Sequence, residues 1–253
     1  MIFSISTAIA EAANIIKMYL LVRIVIRIEP FGKYDKVVLT GEKRNAITRD
    51  VLESLLKLGC EREVIVTNEG PVFSAGLDLS VFLESKERVL EYLFTIHKLI
   101  KKFLDCDKRI IAYIKGDVYG LGVELLYFFD YVVAASEALK FSLQGINFGL
   151  FPPYTVSIGK YLFSYGHLRI MLSRDFTAGE AFRFGIVSEI GQLSPERLFS
   201  PPEHIGAFVK AKRWIMERVD EAVPYLYKLA EAATSEETRS RIKKFFAGNR
   251  GKS

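Results

Sequence analysis

The residues of this chain that could do chemistry sit in two glycine-bearing segments. Glu124 is the sharpest acid/base candidate. It stands two residues beyond Gly122, between Val123 and Leu125, near the expected start of a helix. A carboxylate aimed into an apolar pocket there would have its pKa raised toward the range in which it can both give and take a proton. Taken alone, the same glutamate reads more readily as a helix-terminal cap or ion-pair partner, and the Gly116, Gly120, Gly122 run reads as a tight strand-to-helix packing turn. His97, His167 and His204 show no metal-ligand spacing and no evident Ser or Cys nucleophile, so they read as surface or packing residues. Cys60 and Cys106 are the sole cysteines and show no CxxC spacing. They support neither a disulfide framework nor a thiolate metal site, which leaves the cytoplasm as the expected compartment. Cys106, flanked by Asp105 and Asp107, is a poor nucleophile.

The elements that must position these residues follow from periodicity. Leu20 to Ile28 and Lys36 to Thr40 read as strands, with a turn at Gly41. Thr48 reads as the N-cap of a helix with Val51, Leu52, Leu55 and Leu56 on one face. Val64 to Thr67 is a buried strand; Asn68, Glu69 and Gly70 form a turn. Lys86 to Leu104 is a long amphipathic helix, Arg109 to Ile114 a β-branched strand, Val123 to Phe129 a helix and Tyr131 to Ala135 a strand. The recurring order of strand, strand and helix predicts stacked βα units in an α/β fold, with a doubly wound sheet equally acceptable on periodicity alone. Beyond about Pro201 only helical patterns remain. The division expected is an extension over 1–17, a core over 18–200 and a helical region over 201–253. Residues ahead of Met18 lack a basic start and carry Glu11, so they do not read as a secretory leader and are expected to be dispensable.

The chain has 253 residues, half of them apolar, enough for a sizeable core. No apolar run approaches the roughly 20 residues needed to span a bilayer. The net charge of +5 is carried by the tail over 240–253, which holds Arg241, Lys243, Lys244, Arg250 and Lys252 and no acid; the other residues balance, 30 basic against 30 acidic. A spread nucleic-acid footprint is absent; the basic tail is the sole support for RNA binding.

Four segments together resemble one known family. Phe73-Ser74-Ala75-Gly76-Leu77-Asp78-Leu79 resembles the F-x-A-G-x-D-L motif of the crotonase (enoyl-CoA hydratase/isomerase) family. Lys115 to Leu125, followed by Asp130, is similar to its N-G-x-x-x-G-G-G-x-E-L…D segment. Glu42 to Ile47 resembles its E-K-x-N-A-L turn, and Thr177 to Val187 its S-A-x-E-A-x-x-x-G-L-V helix. The resemblance implies a spiral of ββα units with a C-terminal helical region, assembled as a trimer or a dimer of trimers, acting on an acyl-CoA thioester. It implies that the backbone N–H groups of Leu77 and Leu121 stabilise an enolate oxygen, a role in which loss of one donor typically costs about 3 kcal/mol. Glu124 would be the acid/base and Asp130 a supporting residue. Lys43, Arg44, Ala46, Ser74, Ala75, Asp78 and Gly122 would contact the substrate and its coenzyme A, which is part of the substrate, so no separate cofactor and no metal is expected. Lys243, Lys244 and Phe246 would meet a neighbouring subunit's coenzyme A.

Two positions depart from the family pattern. Leu121 replaces the middle glycine of the G-G-G run, and Leu cannot visit φ > 0 cheaply. Gly145 stands where hydratases carry a second glutamate; Pro153 offers nothing one turn later, leaving Gln144 and Tyr154 as possible hydrogen-bond donors. The expected site therefore has one carboxylate. It is compatible with slow hydration, double-bond migration, decarboxylation or thioester hydrolysis, or with an acyl-CoA-binding protein that has lost turnover.

Overall fold

The computed structural model of the chain describes residues 26–143, 145–194, 211–212 and 217–250. The extension over 1–17, the start of the first expected strand, Gln144, His204 and the boundary near Pro201 lie outside these residues. Runs of Val and Ile give the main strands, because β-branched side chains fit a pleated, buried surface. They are β1 (Ile26–Phe31), β2 (Tyr34–Leu39), β4 (Glu63–Asn68), β7 (Ile110–Ile114), β9 (Tyr131–Ala134) and β12 (Glu189–Ile190), which lie side by side in that order in one sheet. The β1–β2 hairpin is antiparallel and every later neighbour is parallel.

Each central strand of this sheet is followed at once by a short strand of a second sheet. β5 (Val72–Ser74) follows β4, β8 (Asp117–Tyr119) follows β7, and β10 (Lys140–Ser142) follows β9. With β11 (Phe176–Thr177) these form the second sheet, in the order β11-β10-β8-β5. A helix follows each pair, α2 (Lys86–Asp105), α3 (Leu121–Leu126) and α4 (Pro153–Leu162) in turn, the first two returning the chain directly to the first sheet. The repeating unit is thus ββα and the path is a spiral, which decides against the doubly wound alternative. β3 (Ala46–Ile47) and β6 (Gly76–Leu77) add a small parallel pair. α1 (Arg49–Leu56), α5 (Tyr165–Ser173) and α6 (Ala178–Phe184) complete the outer layer, and α7 (Val223–Ala233) and α8 (Glu236–Arg250) form the helical C-terminal part.

Local chemistry sets the helix ends. The Thr48 hydroxyl accepts from Val51 N, Ser85 caps α2, and Thr177 with Glu180 forms a capping box on α6, which Gly185 ends at φ 84°. α3 begins at Leu121, two residues ahead of the expected start, because Gly120 at φ 51° makes the turn by itself. α2 buries Val89, Tyr92, Leu93, Ile96, Leu99, Ile100 and Phe103 at helical spacing. No helix among the described residues is long and apolar enough to cross a membrane.

The cysteine reading needs correction. Cys60 and Cys106 form a disulfide, with Cα atoms 5.6 Å apart. Their separation of 46 residues hides the fact that one follows α1 and the other ends α2, and these two helices pack together. The pairing removes Cys106 from consideration as a thiol and withdraws the cysteine argument for a reducing compartment. Closing a loop of this length in the unfolded chain should stabilise the fold by about 4 kcal/mol at most. Cys60→Ser is expected to lower the urea midpoint in non-reducing buffer. Dithiothreitol should lower the midpoint of the parent chain to a similar value and leave the variant unchanged.

Candidate active site

The site begins at an unusual turn. After β2 the backbone takes left-handed values at three successive non-glycine residues, Lys43, Arg44 and Asn45, with φ of 46°, 56° and 55°. Such residues cost roughly 1–3 kcal/mol each and persist only where their surroundings hold them. Asn45 does the holding: it is buried, its Oδ1 accepts from Gly41 N at 2.7 Å, and its Nδ2 donates to Val72 O at 2.8 Å. Ala75 N donates to Arg44 O at 3.0 Å and the Ser74 hydroxyl donates to Asn45 O at 3.0 Å, tying the turn to the segment that follows β5. Lys43 Nζ pairs with Asp78 Oδ2 at 3.0 Å, and Asp78 Oδ1 accepts from Ser80 N and Oγ. Asp78 is held as an anion by these partners, Ser80 foremost, against the opposing effect of burial. The Arg44 guanidinium lies over the Tyr119 ring, 5.6 Å from its centre.

The two glycine-bearing segments meet backbone to backbone. A Cβ on Gly76, at φ 80°, would stand 2.7 Å from Tyr119 O and 3.0 Å from Leu121 N, so only glycine permits the approach. Leu77 and Leu121 therefore lie at one place and line the same cavity. The substitution at Leu121 creates no backbone difficulty, because Gly120 carries the positive φ and Leu121 is the first helical residue of α3. Its N–H belongs to the first turn, whose amides have no intrahelical acceptor. Gly122 does not line the cavity; a Cβ there would fall 2.7 Å from Ser74 Cβ, so its function is close packing of α3 on β5.

One turn along α3, Glu124 is 1% exposed and faces that cavity. Its Oε1 accepts from Thr155 N at 2.7 Å and from Thr155 Oγ1 at 3.0 Å. Thr155 lies in the first turn of α4, so the carboxylate takes amides that the helix itself leaves unpaired. Burial outweighs these bonds and pushes the Glu124 carboxyl up to about 8. Tyr127 OH lies 3.0 Å from Thr155 Oγ1, holding that hydroxyl. Sequence reasoning missed Thr155; a threonine in the first turn of a helix gives no sign of the glutamate 31 residues before it.

The cavity is about 180 Å³. Glu124 is the one carboxylate lining it among the described residues. Gly145 lines it too, and Leu150 covers that position, its Cβ 3.3 Å from where a Gly145 Cβ would be. Tyr154 does not line it. That hydroxyl sits 3.2 Å from His97 Nδ1, and His97 Nε2 sits 2.9 Å from Asp220 Oδ1, so Tyr154 and His97 are buried packing residues with their polar atoms satisfied. His167 packs against Phe184, with ring centres 4.7 Å apart. Asp130 accepts from Ile110 N and pairs with Lys212, a partner 82 residues away that no local pattern marks. Lys243 and Lys244 are exposed on α8, and Phe246 packs on the chain's own core.

A family model described as enoyl-CoA hydratase/isomerase matches residues 39–243. The chain belongs to this family, the crotonases. Among solved crotonase structures, an enoyl-CoA hydratase from Mycobacterium avium superposes with a TM-score of 0.75 at 20% identity, covering 89% of this chain and 97% of that one. An enoyl-CoA hydratase from Bacillus halodurans gives 0.74, also at 20% identity, over 87% and 99%. At that identity the likeness is one of fold. By sequence, the chain is similar to the mitochondrial enoyl-CoA hydratase domain-containing protein 3 of Danio rerio, 30% identical over 182 residues, 67% of this chain and 62% of that protein. It is 31% identical over 137 residues to the enoyl-CoA isomerase/hydratase fer4 of Mycosarcoma maydis, 48% of this chain and 50% of that protein. The chain thus spans between half and about three fifths of the length of these relatives.

Burial of Glu124 has a consequence for this crotonase that needs no substrate. Between its ordinary value of 4.5 and its folded value of about 8, the folded state binds the proton and the unfolded state does not. This contribution is fully present below pH 4.5 and is lost as the pH rises through 8. Glu124→Gln should flatten the fall in stability across that window, as measured by urea midpoints at a series of pH values.

Proposed function

We propose that the chain is an acyl-CoA enzyme working through an enolate, and that the reaction its site supports best is double-bond migration. Glu124, as carboxylate, removes the α-proton of a β,γ-enoyl thioester, and the electron pair moves onto the thioester oxygen as a dienolate. The N–H groups of Leu77 and Leu121 receive that charge. Glu124, now protonated, returns the proton to the γ-carbon, and the double bond closes between α and β. The observation that supports this reading is that Glu124, Leu77 and Leu121 line one cavity with no second carboxylate beside them among the described residues. Hydration would need one group to activate water and another to supply the α-proton. A carboxyl titrating near 8 is about a tenth ionised at pH 7, enough to act as a base and then as an acid.

Coenzyme A is proposed to enter past Lys43 and Arg44, with the backbone at Ala46, Ser74 and Ala75 along the pantetheine arm and Asp78 fixing Lys43. Assembly as a trimer or dimer of trimers is part of the same proposal, supported by exposed Tyr165, Leu172 and Phe182 on α5 and α6. The cytoplasmic location expected from the cysteines loses its support with the Cys60–Cys106 disulfide, and the Danio rerio relative is named mitochondrial.

Gly145 favours a second reading, an acyl-CoA-binding crotonase without turnover; decarboxylation or thioester hydrolysis at the same oxygen site completes the alternatives. Glu124→Gln is expected to lower turnover of β,γ-enoyl-CoA by about 10²–10⁴-fold, with acyl-CoA affinity by calorimetry held within a few-fold. Turnover unchanged in that variant removes Glu124 from the mechanism. Binding with no product from any enoyl-CoA, even in the parent chain, favours the binding protein.

A further inference from the structure

Among the described residues, the cavity has polar side chains at three places, and two of them are turned to other work. Tyr119 OH donates to Asp117 Oδ2 at 3.0 Å, and the Ser142 side chain bonds Asp175. Glu124 is left as the polar side chain a ligand can use, and the other side chains of the described lining are apolar, Leu79, Leu143, Phe148, Leu150 and Phe151 among them. Such a wall takes an aliphatic or aryl group and offers nothing to a hydroxyl or a second carboxylate, which would be buried unpaired.

The wall has a definite limit. Phe148 ends the short 3-10 turn Gly145–Phe148, and its ring meets Phe245 of α8 edge to face, 5.3 Å between centres and 85° between planes. Phe245 does not line the cavity and is 43% exposed, so Phe148 stands between the cavity and a ring that borders solvent. α8 is well placed to hold it there. The helix packs on both the Gly145–Phe148 turn and the Leu79–Leu83 turn, and Arg239 donates to Glu84 O. Its Thr238 Oγ1 lies 2.8 Å from where a Cβ on Gly149 would stand, with Gly149 at φ 80°. These contacts are all within one chain. In size, an apolar cavity of about 150 Å³ accepts a benzene ring, and this open cavity of about 180 Å³ is of the same order, which sets the scale of the group it takes at about six carbons.

We propose that Phe148, backed by Phe245 of the same chain's C-terminal helix, is the end wall of the acyl pocket and restricts this crotonase to short aliphatic or aryl acyl groups of about hexanoyl size. The inference rests on the acyl-CoA reading above. It assigns to Phe148 and Phe245 a specificity function separate from proton transfer.

Saturated acyl-CoAs, which cannot turn over, test it by calorimetry on the full chain: acetyl-, butyryl-, hexanoyl-, octanoyl- and dodecanoyl-CoA. Each methylene taken up by the wall should tighten binding about fourfold, and the gain should stop at hexanoyl-CoA. Phe148→Ala should move that break to octanoyl-CoA or beyond, and Phe148→Trp should move it back to butyryl-CoA. Phe245→Ala removes a half-exposed ring and leaves the core intact, so it keeps the test usable should the Phe148 variants fail to fold. It should shift the break the same way as Phe148→Ala, by less. An affinity that climbs steadily through dodecanoyl-CoA in the parent chain overturns the proposal, as does a break that stays put in the variants while acetyl-CoA still binds. Failure of the parent chain to bind any acyl-CoA, acetyl-CoA included, overturns the acyl-CoA reading itself.

Discussion

The contact of Gly76 with the backbone of Tyr119 and Leu121 is the constraint on which the rest of the architecture turns. Two loops from successive ββα units are pressed together until there is no space for a single methyl group between them. Everything that surrounds them keeps them there. The left-handed turn at Lys43 to Asn45 is bonded to Ala75 and Ser74, Gly122 lets α3 settle on Ser74, and Asp78 is anchored by Lys43 and Ser80. Strain in the left-handed turn is thereby offset by hydrogen bonds that reach the Gly76 loop. A cavity lined by residues of both loops, Leu77 and Leu121 among them, is a consequence of this packing.

Glu124 shows how two opposing forces leave a carboxyl near neutrality. Removal from water alone would keep it protonated at every ordinary pH, whereas the first-turn amides of α4 and the Thr155 hydroxyl favour the anion. Desolvation is the larger effect and the amides limit it. α4 is in turn steadied from behind, where Tyr154 reaches His97 and His97 reaches Asp220, joining three elements far apart in the chain. The site's electrostatics thus depend on the seating of one helix.

The elements legible in the sequence were those written in local patterns. Thr48 announced its helix, the ββα rhythm followed from alternating strand runs, and the family motifs marked the helix after Thr177 and singled out Glu124, Leu77 and Leu121. What escaped was contact between residues distant in the chain. Cys60 with Cys106, Glu124 with Thr155, His97 with Asp220 and Asp130 with Lys212 are separated by 31 to 123 residues, and neither periodicity nor capping rules carry such information. Asn45 was visible as part of a motif, but its service to a left-handed turn depends on φ values that a one-dimensional pattern does not express. Leu121 looked troublesome because the sequence could not say that Gly120 would bear the positive φ.

The Asp130–Lys212 pair has an implication for how such a chain can vary. Both side chains are about 5% exposed or less, and the aspartate also receives the amide at the head of β7. Burial pushes the Asp130 carboxyl up and the ammonium pulls it back. Removing either member would strand the other charge at a cost of about 3–5 kcal/mol, whereas exchanging both for well-fitting apolar groups can be close to neutral. Drift at these two positions must therefore be concerted, and a chain that has lost only one of them should be found with a new counter-charge nearby.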